Sequence, residues 1–416
     1  MTDVRSHTLS NGCKILIRPT PDKQVLSMLA AVRWGARDDA REQVGCSNLM
    51  AGLLVKGTRS RSALEIAETM EAVGGNIDPF CTMDSLGIET QTVQDDWQVA
   101  LDTMTDCLFD PVFDAEEFDK EKVLVRAEIL REEDEKFSYT YKRFQELLYQ
   151  NHLYQIMPEG TVETVDAMER STVVALHSKA IRPDRMLLTV VGNVPEDDFL
   201  KRVETLWPSQ ESLGKKGPLS IRQTAETPPG EGAGKTLRLG KNVEQGFVVM
   251  GYATPRPNSA DIPALRLACG VLGEGMSARL FSRLRDRDHL AYAVGSSLAI
   301  RDLASHLVLY IGTGPQTVEK AYEGLIRESL GLIGEPPGDE EIERARRYIL
   351  GKYLIGRQTN AVLASSMSTA EVFGLGWEWA EAFPERIRAV TREQILEATA
   401  RYLANPATVI LEPPQA

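Results

Sequence analysis

The 416-residue sequence has few cysteines and no long apolar run. Its five cysteines are scattered, odd in number and without a C-x-x-C pair, which argues against a disulfide framework and favours a reducing compartment. Residues 1–7 lack the apolar core of a secretory signal, and apolar stretches such as Val25–Val32 are well short of a membrane span. We therefore expect a cytoplasmic protein with no membrane partner, and a periplasmic location stays open if a signal has been removed.

Positive charge is also in deficit. Lys and Arg number 47 against 60 Asp and Glu, which gives a net charge of −13. A chain with this balance has no general attraction for a phosphate backbone, so we expect no nucleic-acid partner. An acidic surface favours basic partners or peptides instead.

The common catalytic motifs are absent from the sequence. The five histidines lie far apart, so neither H-E-x-x-H nor H-x-x-E-H occurs, and there is no G-x-x-x-x-G-K-[ST] or G-x-S-x-G. A G-x-G-x-x-A run at 273–278 follows the helical pattern of Ala264–Leu272 rather than a strand. It is therefore interpreted as a turn between helices and not as a nucleotide site.

What the chain does have is length for more than one domain and an internal break. The 416 residues predict two or three domains. The one clear change in composition, rich in Gly and Pro, lies between Trp207 and Lys235 and is typical of a linker. We predict an N-terminal domain at 1–208, a linker at 209–236 and a C-terminal domain at 237–416.

The two halves resemble each other. The runs that begin at Leu86 and at Leu307 each have the pattern of a strand, a turn and an amphipathic helix. Each leads into a loop and then a long helix with an acidic first turn, at Ala115–Asp134 and from Glu340 to about Leu354. Aligning these helices gives an offset of 224 residues, so the repeat is the size of a domain.

Strand-like runs alternate with helices in both halves. The predicted strands are Lys14–Ile17, Val25–Val32, Leu86–Thr90, Met186–Val191, Phe247–Tyr252, Ala291–Ser297, Leu307–Ile311 and Val409–Leu411. Strands followed by pairs of helices favour the α+β class over a doubly wound parallel sheet. We expect two homologous α/β-sandwich domains, each with an antiparallel-rich sheet and helices on one face.

Three segments resemble a known family. H-T-L-S-N-G at 7–12, G-A-R-D-D-A at 35–40 and G-C-S-N-L-M-A-G-L-L-V-K-G-T at 45–58 are similar to the opening of the pitrilysin/insulinase-type zinc peptidases. Active members read roughly L-x-N-G, then G-S-R-x-E, then G-x-A-H-x-x-E-H-M-x-F-K-G-T. The resemblance is to the two-domain bacterial and mitochondrial-processing-peptidase-like members, and it implies a duplicated, clam-like fold and a peptide substrate.

The resemblance also implies that the zinc site is degenerate. Asn48, Ala51 and Gly52 stand where the family has His, Glu and His, whereas Glu128, 76 positions after Gly52, matches the third ligand. Catalytic zinc needs three protein ligands and a base, and neither alanine nor glycine offers a donor atom. We expect no metal bound by this chain, with Glu128 paired to Arg126 or Arg131 instead.

The second half keeps the complementary motif. R-L-F-S-R-L-R-D-R-D-H-L-A-Y-A-V at 279–294 resembles the family segment in which an Arg precedes a Tyr by seven positions, here Arg285 and Tyr292. In the family these side chains face the zinc site of the other domain. A guanidinium and a phenol can donate hydrogen bonds to a peptide carbonyl oxygen as negative charge develops on it.

These motifs together suggest a shared site. Some family members are heterodimers in which one subunit keeps H-x-x-E-H and the other keeps the Arg/Tyr pair, and this sequence is similar to the second kind. We expect a subunit that is inactive alone, with the zinc and general base supplied by a homologous H-x-x-E-H partner. Two alternatives stay open: a structural, core-like assembly subunit, and a peptide-binding protein that takes no part in hydrolysis.

Overall fold

The computed structural model describes residues 3–209 and 231–414, so residues 210–230 of the predicted linker lie outside the described residues. The strands, in chain order, are β1 Arg5–Thr8, β2 Lys14–Arg18, β3 Val25–Val32, β4 Asn76–Cys81, β5 Leu86–Val93, β6 Met186–Val191, β7 Thr236–Gly240, β8 Gly246–Thr254, β9 Ala293–Ala299, β10 Ser305–Thr313 and β11 Ala407–Glu412. All eight strands predicted from the sequence are confirmed. The short strands β1, β4 and β7 were not among the predictions.

Helices account for most of the remaining described chain. They are α1 Cys46–Leu53, α2 Ala63–Ala72, α3 Trp97–Phe109, α4 Ala115–Asp134, α5 Lys136–Leu148, α6 Val162–Asp166, α7 Arg170–Ala180, α8 Glu196–Leu206, α9 Ile262–Gly273, α10 Val318–Gly334, α11 Asp339–Gly356, α12 Asn360–Val372, α13 Glu378–Glu381, α14 Phe383–Ala389 and α15 Arg392–Tyr402. A π-helix at Leu280–Arg287 follows α9. No helix of the described residues is both long enough and apolar enough to cross a membrane.

The first sheet has the strand order β1-β2-β6-β3-β5-β4 among the described residues. Only β2 and β6 run parallel, and the other neighbouring pairs are antiparallel. On β3, Met28 and Ala30 face the main hydrophobic core beneath helices such as α1 and α3, while Leu29 and Ala31 face a separate apolar cluster. Strand β3 is an almost continuous apolar run because both faces of the sheet are covered.

The second sheet repeats this plan. Its order is β7-β11-β8-β10-β9, with β7 and β11 parallel and the other neighbours antiparallel. Strands β2, β6, β3, β5 and β4 of the first sheet therefore correspond to β7, β11, β8, β10 and β9 of the second. The predicted duplication, the α+β class and the antiparallel-rich sheets are confirmed.

Each sheet also carries one helix from the other half of the sequence. Helix α12, from the second half, packs on β3 and β6 of the first sheet, and helix α5, from the first half, packs on β8 and β11 of the second. The first compact unit accordingly combines Met1–Leu130, Met157–Gln223 and Gly356–Ala380, and the second contains the remaining segments. The predicted division at 208 and 237 placed α5 in the N-terminal domain and α12 in the C-terminal domain. In the structure α5 belongs to the second compact unit and α12 to the first.

Helix α12 is held on the first sheet by apolar and polar contacts. Leu363, Ala364 and Met367 join the apolar cluster on the face opposite the main core. At the start of the helix, the Asn360 side-chain amide donates to the carbonyl oxygens of Val25, at 2.6 Å, and of Val191, at 3.3 Å. The predicted arrangement with helices on one face thus describes most of the helices, and α12 adds a layer on the other face.

Candidate functional site

Helix α1 carries the positions that correspond to the zinc motif, and its first residues are tightly fixed. Gly45 precedes the helix with a φ of 96°, a left-handed conformation that favours glycine, and a Cβ atom there would lie 2.7 Å from the Glu159 carbonyl oxygen. The Asp39 carboxylate accepts from the backbone N–H of Gly45, at 3.2 Å, and of Ser47, at 3.1 Å. Burial nevertheless raises the pKa of Asp39 to about 6.

The three predicted zinc-site positions lie together on this helix but supply no ligand set. Ala51 is buried, with 2% of its surface exposed, while Asn48 and Gly52 are partly exposed. The Glu121 side chain from α4 reaches the space beside Gly52, where its carboxylate would collide with any Cβ atom at position 52. Helix α1 therefore contributes the amide of Asn48 and the methyl group of Ala51, and the Glu121 side chain fills the space beside Gly52.

Helix α4 carries the fourth position, Glu128. This residue is exposed, and the expected pairing with Arg126 or Arg131 is wrong: those arginines lie 3.6 Å from Asp166 and 3.8 Å from Glu135. The two arginines therefore contact Asp166 and Glu135 in place of Glu128.

The carboxylate of Glu121 is the partly buried acid in this region. Burial is the largest cause that raises its pKa, and the charges of Glu117 and Glu128 raise it further, against the opposing effect of Lys56. The Lys56 ammonium lies 4.0 Å from the Glu121 carboxylate. Glu121 is thus engaged with a lysine and with the space beside Gly52.

These residues do not fit a zinc ion. Within residues 3–209 and 231–414, no group of three or more His, Cys, Asp or Glu side chains could hold a metal. Tetrahedral zinc sites use thiolate, imidazole and carboxylate ligands, and helix α1 contributes none of these at positions 48, 51 and 52. Glu128 would therefore be the single ligand among the four corresponding positions, which is too few to hold zinc.

We expect the purified chain to bind no stoichiometric zinc. After exposure to equimolar Zn²⁺ and gel filtration, metal analysis should find far less than one ion per chain, and a chelator should leave the thermal unfolding midpoint unchanged. Glu128→Ala is the control, since any metal on other groups would be unaffected by it. One zinc per chain would contradict this expectation, and its loss in Glu128→Ala would assign the ion to this site.

The second unit holds the other predicted residues, beginning with Arg285 in the π-helix. π-Helices are rare and occur often at functional sites. The hydrogen bond typical of a π-helix, between residues five apart, is formed here by the Asp288 N–H, which donates to the Arg283 carbonyl oxygen at 3.0 Å. The Arg285 guanidinium is exposed and lies over the Phe281 ring, 4.7 Å from its centroid.

The neighbouring arginines of this segment are all neutralised. Arg279 forms a bidentate pair with Glu341, with distances of 2.7 and 2.8 Å, and Arg283 contacts two glutamates. Arg287 lies 2.9 Å from Asp288. Among the described residues, Arg285 is the arginine of this segment that pairs with no carboxylate, so its five donors are available to a ligand.

Tyr292 follows the π-helix and immediately precedes β9, an edge strand of the second sheet. Its backbone N–H donates to the Gly312 carbonyl oxygen at 2.9 Å, which fixes the main chain to β10. The side chain is 65% exposed, so the phenol is free to meet a ligand. A fixed main chain with an exposed phenol suits a hydrogen-bond donor to an external group.

Sequence reasoning missed three residues of these regions. Glu121 lies seven positions before Glu128, two helical turns away, so helical periodicity alone could have placed both on one face of α4. Phe281 lies four positions before Arg285, and Asp39 belongs to the G-A-R-D-D-A segment already singled out. The sequence offered no signal for the contact between Glu121 and Gly52, because it depends on how α1 and α4 pack.

Curated relatives extend over nearly the whole chain. A Bacillus subtilis protein named an uncharacterized zinc protease, YmxG, is 26% identical over 412 residues, which cover 97% of this chain and 98% of that protein. An uncharacterized zinc protease of Mycobacterium leprae is also 26% identical, with coverage of 96% and 88%. These names describe the relatives and assign no activity to this chain.

Solved structures and family models agree with this similarity. A protease from Helicobacter pylori superposes with a TM-score of 0.90 at 19% identity, covering 99% of this chain and 100% of that one. A Pseudomonas fluorescens structure described as a peptidase M16 inactive domain gives 0.89 at 18% identity, with coverage of 100% and 98%. Residues 14–158 match the model described as Insulinase (Peptidase family M16), and residues 167–349 match the model described as Peptidase M16 inactive domain. The chain therefore belongs to the insulinase family of peptidases, family M16.

Proposed function

We propose that this chain is the zinc-less subunit of a two-subunit metallopeptidase. It supplies Arg285 and Tyr292 to the site of a homologous partner that carries an intact H-x-x-E-H motif and its zinc. The substrates are short, unfolded peptides. The observation that carries the proposal is the contrast between helix α1, which has no ligand set, and Arg285, which is exposed and unpaired in a segment whose other arginines are neutralised.

The chemistry of the two side chains suits this role. When water attacks a peptide carbonyl, negative charge develops on the oxygen, and donors placed in advance stabilise that charge. The Arg285 guanidinium offers a planar fork of donors that matches a carbonyl or carboxylate oxygen, and its contact with the Phe281 ring restricts its motion. The Tyr292 phenol adds a neutral donor.

The complex with the partner should depend strongly on both side chains. The chain would be co-expressed with a similar chain that has H-x-x-E-H, preferably one encoded beside it, and cleavage of a fluorogenic peptide would be measured. We expect cleavage only with both chains present. Arg285→Ala and Tyr292→Phe should each lower kcat on the order of 100-fold, the usual cost of one lost oxyanion donor.

Arg287→Ala is the matched control, because it removes an exposed guanidinium from the same π-helix that is already paired with Asp288. Its kcat should stay within about twofold of the unsubstituted complex, as expected for an exposed ion pair. Unchanged cleavage in both Arg285→Ala and Tyr292→Phe would reject the proposal and favour a structural assembly subunit.

A further inference from the structure

Glu328 on α10 is a buried carboxylate to which the proposed chemistry assigns no role. Its side chain is 1% exposed, yet it meets two guanidinium groups. Arg283 of the π-helix donates to one carboxylate oxygen at 3.0 Å, and Arg327 of α10 donates to the other at 3.2 Å. A buried acid held between two cations is costly to build unless both contacts are maintained, so these contacts fix Arg283 firmly.

The π-helix is fixed to α10 at this point by packing as well as by charge. Gly324 lies one helical turn before Glu328, and the Leu284 side chain fills the space beside it, 2.8 Å from where a Cβ atom would stand. Leu284 is fully buried. Two consecutive residues of the π-helix are thus anchored on one face of α10, directly before Arg285.

The two arginines also have partners that are more open to solvent. Arg283 donates to both carboxylate oxygens of Glu335, at 2.9 and 3.2 Å, but the Glu335 side chain is 67% exposed, and Arg327 also contacts Asp288. Exposed ion pairs contribute little and exchange readily with water. Without the Glu328 charge, Arg283 would be held only by the exposed carboxylate of Glu335 and would be a more mobile cation two residues from Arg285.

We propose that Glu328 is a positioning residue for Arg285: by anchoring Arg283 and Arg327, it keeps Arg285 the single available guanidinium of the segment. The expected effect of Glu328 on kcat rests on the proposed function, whereas the accessibility of the arginines can be measured on this chain alone. The two can therefore be tested separately.

The first test uses the full chain without a partner and phenylglyoxal, a reagent that labels accessible guanidinium groups. Mass spectrometry would follow the labelling rates of Arg279, Arg283, Arg285 and Arg287. In the unsubstituted chain, Arg285 should be labelled fastest. In Glu328→Gln, the rate at Arg283 should rise about 10-fold, because its charge-assisted hydrogen bond to a buried carboxylate is lost. Glu323→Gln, an exposed carboxylate on the same helix, is the control and should change nothing.

The second test uses the complex with the H-x-x-E-H partner. Glu328→Gln should lower kcat about 10-fold with little change in KM, since the more mobile Arg283 then competes with Arg285 for the charge that develops in the transition state. The double variant Glu328→Gln with Arg283→Gln removes both members of the buried pair, which favours folding, and it should recover most of the lost kcat. A purely structural role for Glu328 would instead lower the thermal unfolding midpoint of Glu328→Gln and leave kcat per folded complex unchanged.

The outcomes separate the two ideas. If Arg285→Ala leaves cleavage unchanged, the proposed function fails, and the labelling pattern still decides the state of the arginines. If Glu328→Gln leaves both the Arg283 labelling rate and kcat unchanged, the positioning role is rejected. It is equally rejected if the double variant is as impaired as the single one. Should Glu328→Gln fail to fold, the double variant decides: near-normal kcat supports the role, and a 10-fold loss overturns it.

Discussion

Residues 1–208 expressed alone should fail to form a stable first unit. This fragment ends at the predicted domain boundary, yet the first sheet needs α12, which lies at Asn360–Val372. Without that helix, Leu16, Leu29, Leu187 and Val191 lose their cover from Leu363 and Met367. Burial of two large side chains contributes roughly 5 kcal/mol, which is comparable to the entire stability of many domains. Circular dichroism and gel filtration should show an aggregated or loosely packed fragment.

Adding a peptide of residues 356–380 to this fragment should restore a cooperative unfolding transition. The same peptide with Leu363 and Met367 replaced by Asp is the control and should not. In the full chain, Met367→Ala should lower the free energy of unfolding of the first unit by about 3 kcal/mol, because Met367 is fully buried. Val362 lies on the same helix but is 42% exposed, so Val362→Ala should cost under about 0.5 kcal/mol. A fragment that unfolds cooperatively without the peptide would contradict the role assigned to α12.

The second unit should lose stability in mild acid because of His306 on β10. This histidine is fully buried, and burial is the main cause that lowers its pKa to about 3, with the charge of Arg301 as a further cause. Its ring lies between two tyrosines of the segment that includes α5. Tyr149 lies 2.9 Å from Nδ1 and Tyr141 lies 2.8 Å from Nε2.

The hydrogen bonds identify the neutral form of the ring. The Tyr149 hydroxyl donates to the Ala304 carbonyl oxygen at 3.0 Å, so it accepts from Nδ1–H, and Nε2 is left to accept from Tyr141. A second proton on Nε2 would remove this acceptor and place a buried charge near Arg301. The neutral imidazole is therefore the form that the fold requires.

The sign of the pH effect follows directly. The pKa of His306 is lower in the folded state than its ordinary value of 6.5, so its stabilising contribution is complete above pH 6.5 and is lost as the pH falls toward 3. Between pH 7 and pH 5 the expected loss is about 2 kcal/mol, and the full difference approaches about 5 kcal/mol. Denaturant unfolding monitored at several pH values measures this slope.

His306→Gln should flatten that slope, since an amide can donate and accept in the same place without titrating. The exposed His289 gives the matched control: His289→Asn tolerates the positive φ of 53° at that position and should leave the slope unchanged. If His306→Gln keeps the full slope between pH 7 and pH 5, another group is responsible.

The sequence predicted most of the strands and the duplication because both depend on local pattern. The apolar run Val25–Val32 and the acidic start of α4 are recognisable without tertiary information, and the structure confirms their bounds. The exchange of α5 and α12 was not predictable in this way. An amphipathic helix shows that one face is buried, but its sequence does not say against which sheet.

The residues of the candidate site could be named from the sequence, while their contacts could not. The spacing of Arg285 and Tyr292 and the vacant positions at 48, 51 and 52 could be taken from the sequence. The pairing of Glu128 with a neighbouring arginine was wrong, because ion pairs on an exposed helix depend on rotamers and on neighbours outside the helix. The π-helix likewise depends on tertiary anchoring, here through Leu284 and Glu328.

The exchanged helices show that the second unit depends on the N-terminal half of the sequence. Helix α5 is encoded in that half, yet it covers the second sheet and supplies both tyrosines around His306 together with the residues that follow it. Deleting residues 1–208 would therefore strip the half that keeps Arg285 and Tyr292 of part of its own core. The N-terminal half is therefore required for the fold of the second unit, independently of what positions 48, 51 and 52 contribute.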